Sequence, residues 1–229
     1  MAAELDGPRV APKNGPARQL VVFLHGYGAD GNDLIEIGRA WQIFMPQAAF
    51  VSPHAPHPCG QAPMGREWFP LTFRNPDERW LGVNAAATGL DQFLDAELAR
   101  HQLPPFALAL VGFSQGTMMS LHVGLRRAVA PAAIVGYSGM LVLKNDTDVE
   151  GYAPQVRARP PVLLIHGDAD ELIPVDALFH SGQSLAALEV PAEWHISAGI
   201  GHGIDDEGLR QGGEFLARRF RRMRQANPP

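Results

Sequence analysis

A serine stands between two glycines at residues 112–116, where the sequence reads Gly-Phe-Ser-Gln-Gly. The apolar run 106–111 before it predicts a buried strand, and residues 117–129 after it predict a helix. A sharp turn from strand to helix holds a serine hydroxyl clear of the sheet, and glycines on both sides let neighbouring chain pass close to it. The N-terminus of the following helix stabilises negative charge nearby. The pattern predicts that Ser114 is the nucleophile of an acyl transfer, although a simple helix cap is an alternative for the pentapeptide by itself.

Serine is a weak nucleophile at neutral pH, so it needs a base, and the base needs a partner that fixes its tautomer. The histidines that follow Ser114 in the chain are His122, His166, His180, His195 and His202. His202 lies in the glycine-rich segment 199–203, after the last predicted strand and before the last predicted helix. A loop in this place lets an imidazole reach over the serine, whereas the other histidines fall within predicted helices or strands. The sequence therefore favours His202 as the base.

Candidates for the acid lie in residues 166–174, which read His-Gly-Asp-Ala-Asp-Glu-Leu-Ile-Pro and follow the end of a predicted strand. Asp168, Asp170 and Glu171 are the carboxylates of this segment. Asp168 directly follows a glycine, where an aspartate often bonds to its own backbone in a turn. The residue types alone leave Asp168 and Asp170 as alternatives.

A second glycine-rich loop follows the first predicted strand, where residues 24–31 read Leu-His-Gly-Tyr-Gly-Ala-Asp-Gly. Two backbone N–H groups stabilise a tetrahedral oxyanion, and one of them belongs to the residue after the nucleophile, which is Gln115. We expect the other to be the amide of Tyr27. A phosphate-binding loop is an alternative for glycines after a strand, but no Gly-Lys-Ser/Thr sequence follows, and the serine turn elsewhere favours a hydrolase.

Strand-like and helical segments alternate from residue 19 onward, which predicts one α/β domain with a mostly parallel sheet. The predicted strands are 19–24, 48–52, 106–111, 132–137, 162–166 and 193–197, and the predicted helices are 33–44, 84–101, 117–129, 175–188 and 205–223. Active sites in such sheets lie at the carboxyl ends of the strands, where the candidate residues fall. Residues 53–79 show little periodicity and predict a long ordered loop, which is usually functional.

The composition argues against several other classes of protein. The net charge is −5, from 19 basic and 24 acidic residues, so the sequence does not indicate a nucleic-acid partner. The single cysteine excludes an intramolecular disulfide. Residues 1–19 lack the apolar core of a signal peptide, and no run approaches the roughly 18 apolar residues of a membrane span. We therefore expect a cytoplasmic protein without stable membrane insertion.

The four motifs together resemble the phospholipase/carboxylesterase family of α/β-hydrolases, which includes bacterial carboxylesterases related to acyl-protein thioesterases. The matching segments are 24–31, 112–116, 166–174 and 201–202. In this family the acid is the later aspartate of the His-Gly-x-x-Asp segment, so the resemblance implies Asp170 rather than Asp168. It also implies Ser114 as nucleophile, His202 as base and Tyr27 as the second oxyanion amide.

The resemblance implies a single-domain α/β-hydrolase fold, with a mostly parallel central sheet flanked by helices and without a large lid. We place this domain at residues 19–224, after a flexible N-terminal segment at 1–18. The predicted substrate-pocket residues are Trp68, Phe69, Leu71, Met140 and Leu141. An alternative role for Trp68, Phe69 and Leu71 is to anchor their loop in the hydrophobic core.

The expected function is a serine carboxylesterase that hydrolyses short to medium acyl esters through an acyl-enzyme intermediate. An acyl-protein thioesterase or a lysophospholipase is the alternative enzyme. A non-catalytic binding protein with a hydrolase fold is the alternative from another class, but binding alone requires no complete Ser, Asp and His set. The expected partner is a small-molecule ester, and the resemblance also allows a homodimer, which no sequence feature tests.

We expect no cofactor and no metal ion, since serine, histidine and aspartate suffice for this chemistry. His54, His57 and Cys59 are spaced closely enough to suggest a metal site. Prolines interrupt that run, however, and a closed zinc site needs four ligands.

Overall fold

A computed structural model of the protein describes residues 5–72, 75 and 77–226. In chain order the strands are β1 (Arg9–Val10), β2 (Gln19–Leu24), β3 (Ala48–Val51), β4 (His57–Pro58), β5 (Arg66–Glu67), β6 (Leu108–Phe113), β7 (Ala133–Tyr137), β8 (Val162–Gly167) and β9 (Ala192–Ser197). The α-helices are α1 (Asn32–Trp41), α2 (Glu78–Arg100), α3 (Gln115–Gly124), α4 (Val149–Tyr152), α5 (Asp176–Ala187) and α6 (Asp206–Ala226). Short 3₁₀ helices cover Pro105–Ala107, Lys144–Asp146 and Ala153–Gln155.

The central sheet has seven strands in the order β1-β3-β2-β6-β7-β8-β9. β1 runs antiparallel to β3, and the other neighbouring strands are parallel. The predicted mostly parallel sheet is therefore confirmed. Because β6, β7, β8 and β9 are neighbours, the loops that follow them open at the same edge of the sheet.

Helices cover both faces of this sheet, and alternate strand residues pack on opposite faces. In β2, Leu20, Val22 and Leu24 belong to the hydrophobic cluster that contains side chains of α2, α3 and α5. Val21 and Phe23 belong to the other cluster, with side chains of α1 and α6. A strand buried on both faces needs apolar residues at every position, which explains its continuous apolar sequence.

The folded domain begins earlier in the chain than we predicted. β1 pairs with β3, and the Arg9 guanidinium pairs with Glu97, a buried carboxylate on α2, at 2.8 Å. Residues 5–18 therefore belong to the fold rather than to a flexible segment, while residues 1–4 lie outside the described residues. A two-residue edge strand is too short to show a hydrophobic period in the sequence.

The long loop predicted at 53–79 contains a small antiparallel hairpin of β4 and β5. This loop also ends earlier than predicted, because α2 begins at Glu78 rather than at residue 84. Residues 73, 74 and 76 of this loop lie outside the described residues. No helix in the described part of the chain combines the length and apolar character needed to cross a membrane.

The turn between β6 and α3 requires glycine on both sides of Ser114. A Cβ atom built on Gly112 would lie 2.4 Å from the Gly116 backbone, and one built on Gly116 would lie 1.8 Å from the Leu24 carbonyl oxygen. Real Cβ atoms essentially never approach other atoms so closely. The steric reason that the sequence suggested for the two glycines is therefore present in the fold.

We expect Gly116→Ala to lower the free energy of unfolding by about 3 kcal/mol, because the added methyl overlaps fixed backbone. Gly89→Ala on α2 is the matched control, since a Cβ there meets nothing within 4 Å. It should raise the free energy of unfolding by about 0.5–1 kcal/mol. Urea unfolding measures both variants, and a Gly116→Ala protein as stable as the wild type would contradict the crowded turn.

Candidate active site

Ser114 occupies a strained backbone conformation at the turn, with φ 53° and ψ −115°. A residue with a side chain rarely adopts positive φ, and such strain persists only where the surrounding structure enforces it. The Ser114 N–H donates to the Tyr137 carbonyl of β7 at 2.9 Å, and the Thr117 N–H donates to the Ser114 carbonyl at 3.0 Å. The backbone of the candidate nucleophile is thus fixed from the sheet and from the helix.

His202 and Asp170 are joined by a direct hydrogen bond, in which the Nδ1 atom of His202 donates to the Oδ2 atom of Asp170 at 2.8 Å. With its proton on Nδ1, a neutral imidazole leaves Nε2 free to accept a proton. The Asp170 side chain is fully buried, whereas that of His202 is 16% exposed. The imidazole also lies 5.0 Å from the ring of Phe113, the residue before the serine. The structure therefore brings the predicted base and acid together beside the serine turn.

Donors hold both oxygens of the Asp170 carboxylate. Oδ1 accepts the N–H groups of Leu172 and Ile173, each at 2.9 Å, while Oδ2 accepts from His202. Burial alone would raise the pKa of Asp170, but the hydrogen bonds, led by that of the Ile173 amide, outweigh burial and lower the pKa below its usual value. The carboxylate is therefore ionised at neutral pH and can stabilise an imidazolium.

Asp168, the alternative acid, has a different partner. Its Oδ1 accepts the Gly199 N–H at 2.6 Å, and its own N–H donates to the Ser197 carbonyl at 3.2 Å. These bonds tie the loop after β8 to the loop that carries His202. Sequence reasoning missed this role, because Gly199 is 31 residues away in the chain.

The loop that carries Tyr27 lies directly against the serine turn. A Cβ atom built on Gly26 would lie 3.3 Å from the Cβ of Ser114. Gln115 is the first residue of α3, so its N–H has no acceptor within the helix. Gln115 follows Ser114 directly, and the residue before Tyr27 packs against the Ser114 side chain.

His25 holds the same loop through a fixed tautomer. The Ala55 N–H donates to its Nε2 at 3.0 Å, so Nδ1 carries the proton and donates to the Gly26 carbonyl at 2.8 Å. The ring is fully buried, and desolvation lowers the pKa of His25 to about 4. His25 is therefore neutral at pH 7. The sequence motif around His25 identified this loop. The contact between His25 and Ala55 joins residues 30 positions apart and depends on the fold.

Trp68 and Phe69, two predicted pocket residues, are 1% and 2% exposed. The indole N–H of Trp68 donates to the His25 carbonyl at 3.0 Å. The Gln115 side chain accepts the Trp68 backbone N–H at 2.9 Å and donates to the Phe69 carbonyl at 2.8 Å. Of the two interpretations that the sequence left open, this geometry favours hydrophobic anchors for the loop over an open acyl groove.

Leu71, the third residue of that segment, lines a cavity of about 340 Å³ together with Tyr27, Glu67 and Pro70. Leu71 itself is mostly buried, with 8% exposure. Tyr27, the residue that carries the expected oxyanion amide, forms part of its wall.

Met140 and Leu141 line a larger cavity of about 660 Å³ between the loop after β7 and helix α5. Most of its wall surface is apolar, from residues such as Leu143 and Ala177, although the polar side chains of Asp176 and His180 also line it. Met140 follows Gly139, where an added Cβ would lie 2.7 Å from the carbonyl oxygen of the serine at 114. This cavity therefore begins one residue from a contact with the serine turn.

The three residues of the suggested metal site differ in their burial and in their hydrogen bonds. His54 accepts the Gly31 N–H on Nδ1 at 3.1 Å, His57 is exposed, and Cys59 is buried. Within the described residues, no group of three or more His, Cys, Asp or Glu side chains is arranged to hold a metal ion.

With this geometry established, the chain can be compared with known proteins. A family model described as phospholipase/carboxylesterase matches residues 5–219. The chain belongs to this family. Acyl-protein thioesterase 1 of Gibberella zeae is 27% identical over 230 residues, which cover 93% of this chain and 97% of that protein. Esterase YpfH of Escherichia coli is 25% identical over 195 residues, covering 85% of this chain and 80% of that protein.

Solved structures share the architecture of this family member. The crystal structure of esterase PE8 is 42% identical, has a TM-score of 0.89, and matches 94% of this chain and 99% of that chain. Acyl-protein thioesterase 2 of Zea mays is 23% identical with a TM-score of 0.67, matches 93% of this chain and 98% of that chain, and shows the shared fold. The predicted single-domain α/β-hydrolase fold is confirmed.

Two buried histidines make the stability of the protein depend on pH. Desolvation lowers the pKa of His25 to about 4 and that of His122 to about 3. In the unfolded chain these groups have a pKa of about 6.5, so the unfolded state binds more protons at acidic pH. Their stabilisation is therefore complete above about pH 6.5 and is lost as the pH falls toward 4 and 3, at up to about 1.4 kcal/mol per pH unit for each histidine.

We expect His122→Leu to reduce this loss. Within the described residues neither ring nitrogen of His122 has a hydrogen-bond partner, so leucine removes the titrating group without leaving a partner unpaired. Urea unfolding at pH 7 and pH 5 should show wild-type stability at pH 7 and a smaller decrease at pH 5. His57→Gln, at an exposed position, is the control and should keep the wild-type decrease. An unchanged decrease in His122→Leu would contradict the account.

Proposed function

We propose that this protein is a serine carboxylesterase with Ser114, His202 and Asp170 as its catalytic triad. The observation that carries the proposal is the 2.8 Å hydrogen bond from His202 to the buried Asp170 carboxylate, beside a serine in a strained turn. Membership of the phospholipase/carboxylesterase family supports acyl chemistry at this site.

In the proposed mechanism, Ser114 Oγ attacks the ester carbonyl while Nε2 of His202 takes the hydroxyl proton. Asp170 stabilises the resulting imidazolium, and the amides of Tyr27 and Gln115 donate to the oxyanion. The tetrahedral intermediate collapses, and His202 protonates the departing alcohol. Water then attacks the acyl-enzyme while His202 takes one of its protons, and His202 returns this proton to Ser114 Oγ as the second tetrahedral intermediate collapses and the acid leaves. The sequence of steps requires no cofactor and no metal ion.

Short to medium acyl chains fit the space around the site. We place the acyl group in the cavity of about 660 Å³ that begins at Met140 and Leu141, because its walls are mainly apolar. The cavity beside Leu71 has about half that volume, at about 340 Å³, and therefore holds less of an aliphatic chain. Trp68 and Phe69 act indirectly in this proposal, by fixing the loop that bounds the site.

A second candidate is an acyl-protein thioesterase, which the similarity to the Gibberella zeae protein over 97% of its length favours. The same triad would attack a thioester, with a thiol as the leaving group. Lysophospholipase activity, a cytoplasmic location and a homodimer remain predictions from the sequence.

Hydrolysis of p-nitrophenyl esters from acetate to palmitate tests the proposed function. We expect the wild type to prefer short to medium chains and Ser114→Ala to lose activity by a factor on the order of 10⁶. Ser120→Ala is the control, because it removes a buried serine hydroxyl of α3 that has no hydrogen-bond partner within the described residues. A folded wild type without turnover on any chain length would refute the esterase proposal. A higher kcat/KM for an acyl thioester than for the matched ester would favour the second candidate.

The two aspartates provide a separate test of the acid. We expect Asp170→Asn to lower kcat by about 10⁴, because an amide neither stabilises the imidazolium nor fixes the ring proton on Nδ1. Asp168→Asn keeps a carbonyl oxygen for the Gly199 N–H and should change kcat by less than about tenfold. Steady-state kinetics of both variants measures the difference, and equal losses would contradict the assignment of Asp170.

A further inference from the structure

A second histidine lies against the buried Asp170 carboxylate. His166 is in β8, and its side chain is 1% exposed. Its Nε2 atom lies 2.7 Å from the Ile173 carbonyl oxygen and 3.3 Å from Asp170 Oδ2. A carbonyl oxygen can only accept, so Nε2 carries a proton and is the donor. That N–H is directed at the Ile173 carbonyl, and the same ring nitrogen lies beside the Asp170 oxygen that binds His202.

His166 restricts a motion of the carboxylate that the backbone leaves open. The amides of Leu172 and Ile173 bind Oδ1 and hold that oxygen in place. The carboxylate can still rotate so that Oδ2 moves while Oδ1 stays in place. This rotation decides whether Oδ2 faces His202. His166 holds the Ile173 carbonyl from a strand of the central sheet, and Ile173 in turn donates to Oδ1, so this rigid imidazole and its 3.3 Å contact with Oδ2 limit that rotation.

The end of β8, next to His166, contacts the loop that carries His202. A Cβ atom built on Gly167 would lie 2.1 Å from the Ile200 carbonyl oxygen, so the end of β8 touches the loop that carries His202. His166 therefore lies one residue from a direct backbone contact with that loop.

We propose that His166 is a positioning residue that directs Asp170 Oδ2 toward His202. The proposal rests on the proposed triad, and His166 acts through Asp170 rather than on the substrate. Loss of His166 leaves Asp170 less well oriented toward His202, which weakens the stabilisation of the imidazolium form of His202.

Other charged groups near the His202 loop already have partners. Asp168 accepts the Gly199 N–H, and Asp205 accepts from the Ser197 hydroxyl and the Gly208 N–H. Glu171 is exposed to solvent. The ring facing His202 from the β6 turn is that of Phe113, which carries no charge. Asp170 and His166 are therefore the groups whose change should alter His202.

The test compares His166→Leu, His166→Asn and His166→Gln with the wild type. Glutamine carries an amide N–H close to the position of Nε2, asparagine is one methylene shorter, and leucine has no donor. We expect His166→Leu and His166→Asn to lower kcat on a p-nitrophenyl ester by roughly 10- to 100-fold with little change in KM, as for outer-shell partners of other catalytic groups. The acid limb of kcat/KM should move to lower pH, because His202 binds its proton less tightly when Asp170 is poorly oriented. His166→Gln should recover most of kcat and the wild-type acid limb.

An NMR titration of the His202 imidazole in the same four proteins provides a readout that needs no turnover. We expect the pKa of His202 to fall in the leucine and asparagine variants, because Asp170 is less well oriented, and to return toward the wild-type value with glutamine. If the leucine variant fails to fold in thermal unfolding, the comparison of asparagine with glutamine decides the question. Wild-type kcat and wild-type His202 titration in the folded asparagine variant would overturn the proposal, as would glutamine that rescues neither.

The proposed function has its own control in this experiment. A wild type whose turnover does not depend on Ser114 would refute the esterase, while the titration would still report whether His166 acts on Asp170 and His202. A Ser114-dependent wild type with unaffected His166→Asn would refute the positioning role alone.

Discussion

The close contact between the Leu24 carbonyl and the Cα of Gly116 is the constraint on which the site depends. An added Cβ would lie 1.8 Å from that oxygen, so the end of β2 and the start of α3 touch through backbone alone. This contact brings the loop after β2 beside Ser114 and holds the serine turn against the sheet. Strain at Ser114 persists because its neighbours on the sheet and the helix allow no relaxation.

The order of strands in the sheet then decides which loops can meet. β6, β7, β8 and β9 are consecutive neighbours, so the segments carrying Ser114, Asp170 and His202 emerge at one edge. Backbone and side-chain bonds between the loops refine their positions, as where Asp168 accepts the Gly199 N–H. Ser138, at the end of β7, adds a hydroxyl that donates to the carbonyl of Gly203, the residue after His202. Asp170 and His202 are thus held by the sheet and by contacts between successive strand ends.

Buried polar side chains fix the loops around the site through hydrogen bonds. Some of these side chains are neutral and others are ionised. His25 is neutral and bridges Ala55 to its own loop, while Gln115 joins the start of α3 to Trp68 and Phe69. Asp170 is ionised because backbone amides and an imidazole compensate its burial. His25 makes the fold sensitive to acid, because protonation of its Nε2 would break the hydrogen bond from the Ala55 N–H.

The sequence by itself determined the fold class and the segments that carry the site. Long apolar strands buried on both faces, such as β2, are recognisable from continuous apolar runs, and the glycines around Ser114 show where backbone must approach closely. The sequence could not display β1, which is too short for any periodicity. Residue types alone also left Asp168 and Asp170 as alternatives, since both are aspartates in one short loop.

Only the tertiary structure shows the partners of these two carboxylates, because Gly199 and His202 are more than 30 residues away in the chain. It likewise placed Trp68 in the hydrophobic core rather than in an open groove, through a hydrogen bond to a carbonyl 43 residues distant. Local composition sets which segments form strands, helices and turns. The direction in which one side chain points depends on contacts between segments that the fold alone brings together.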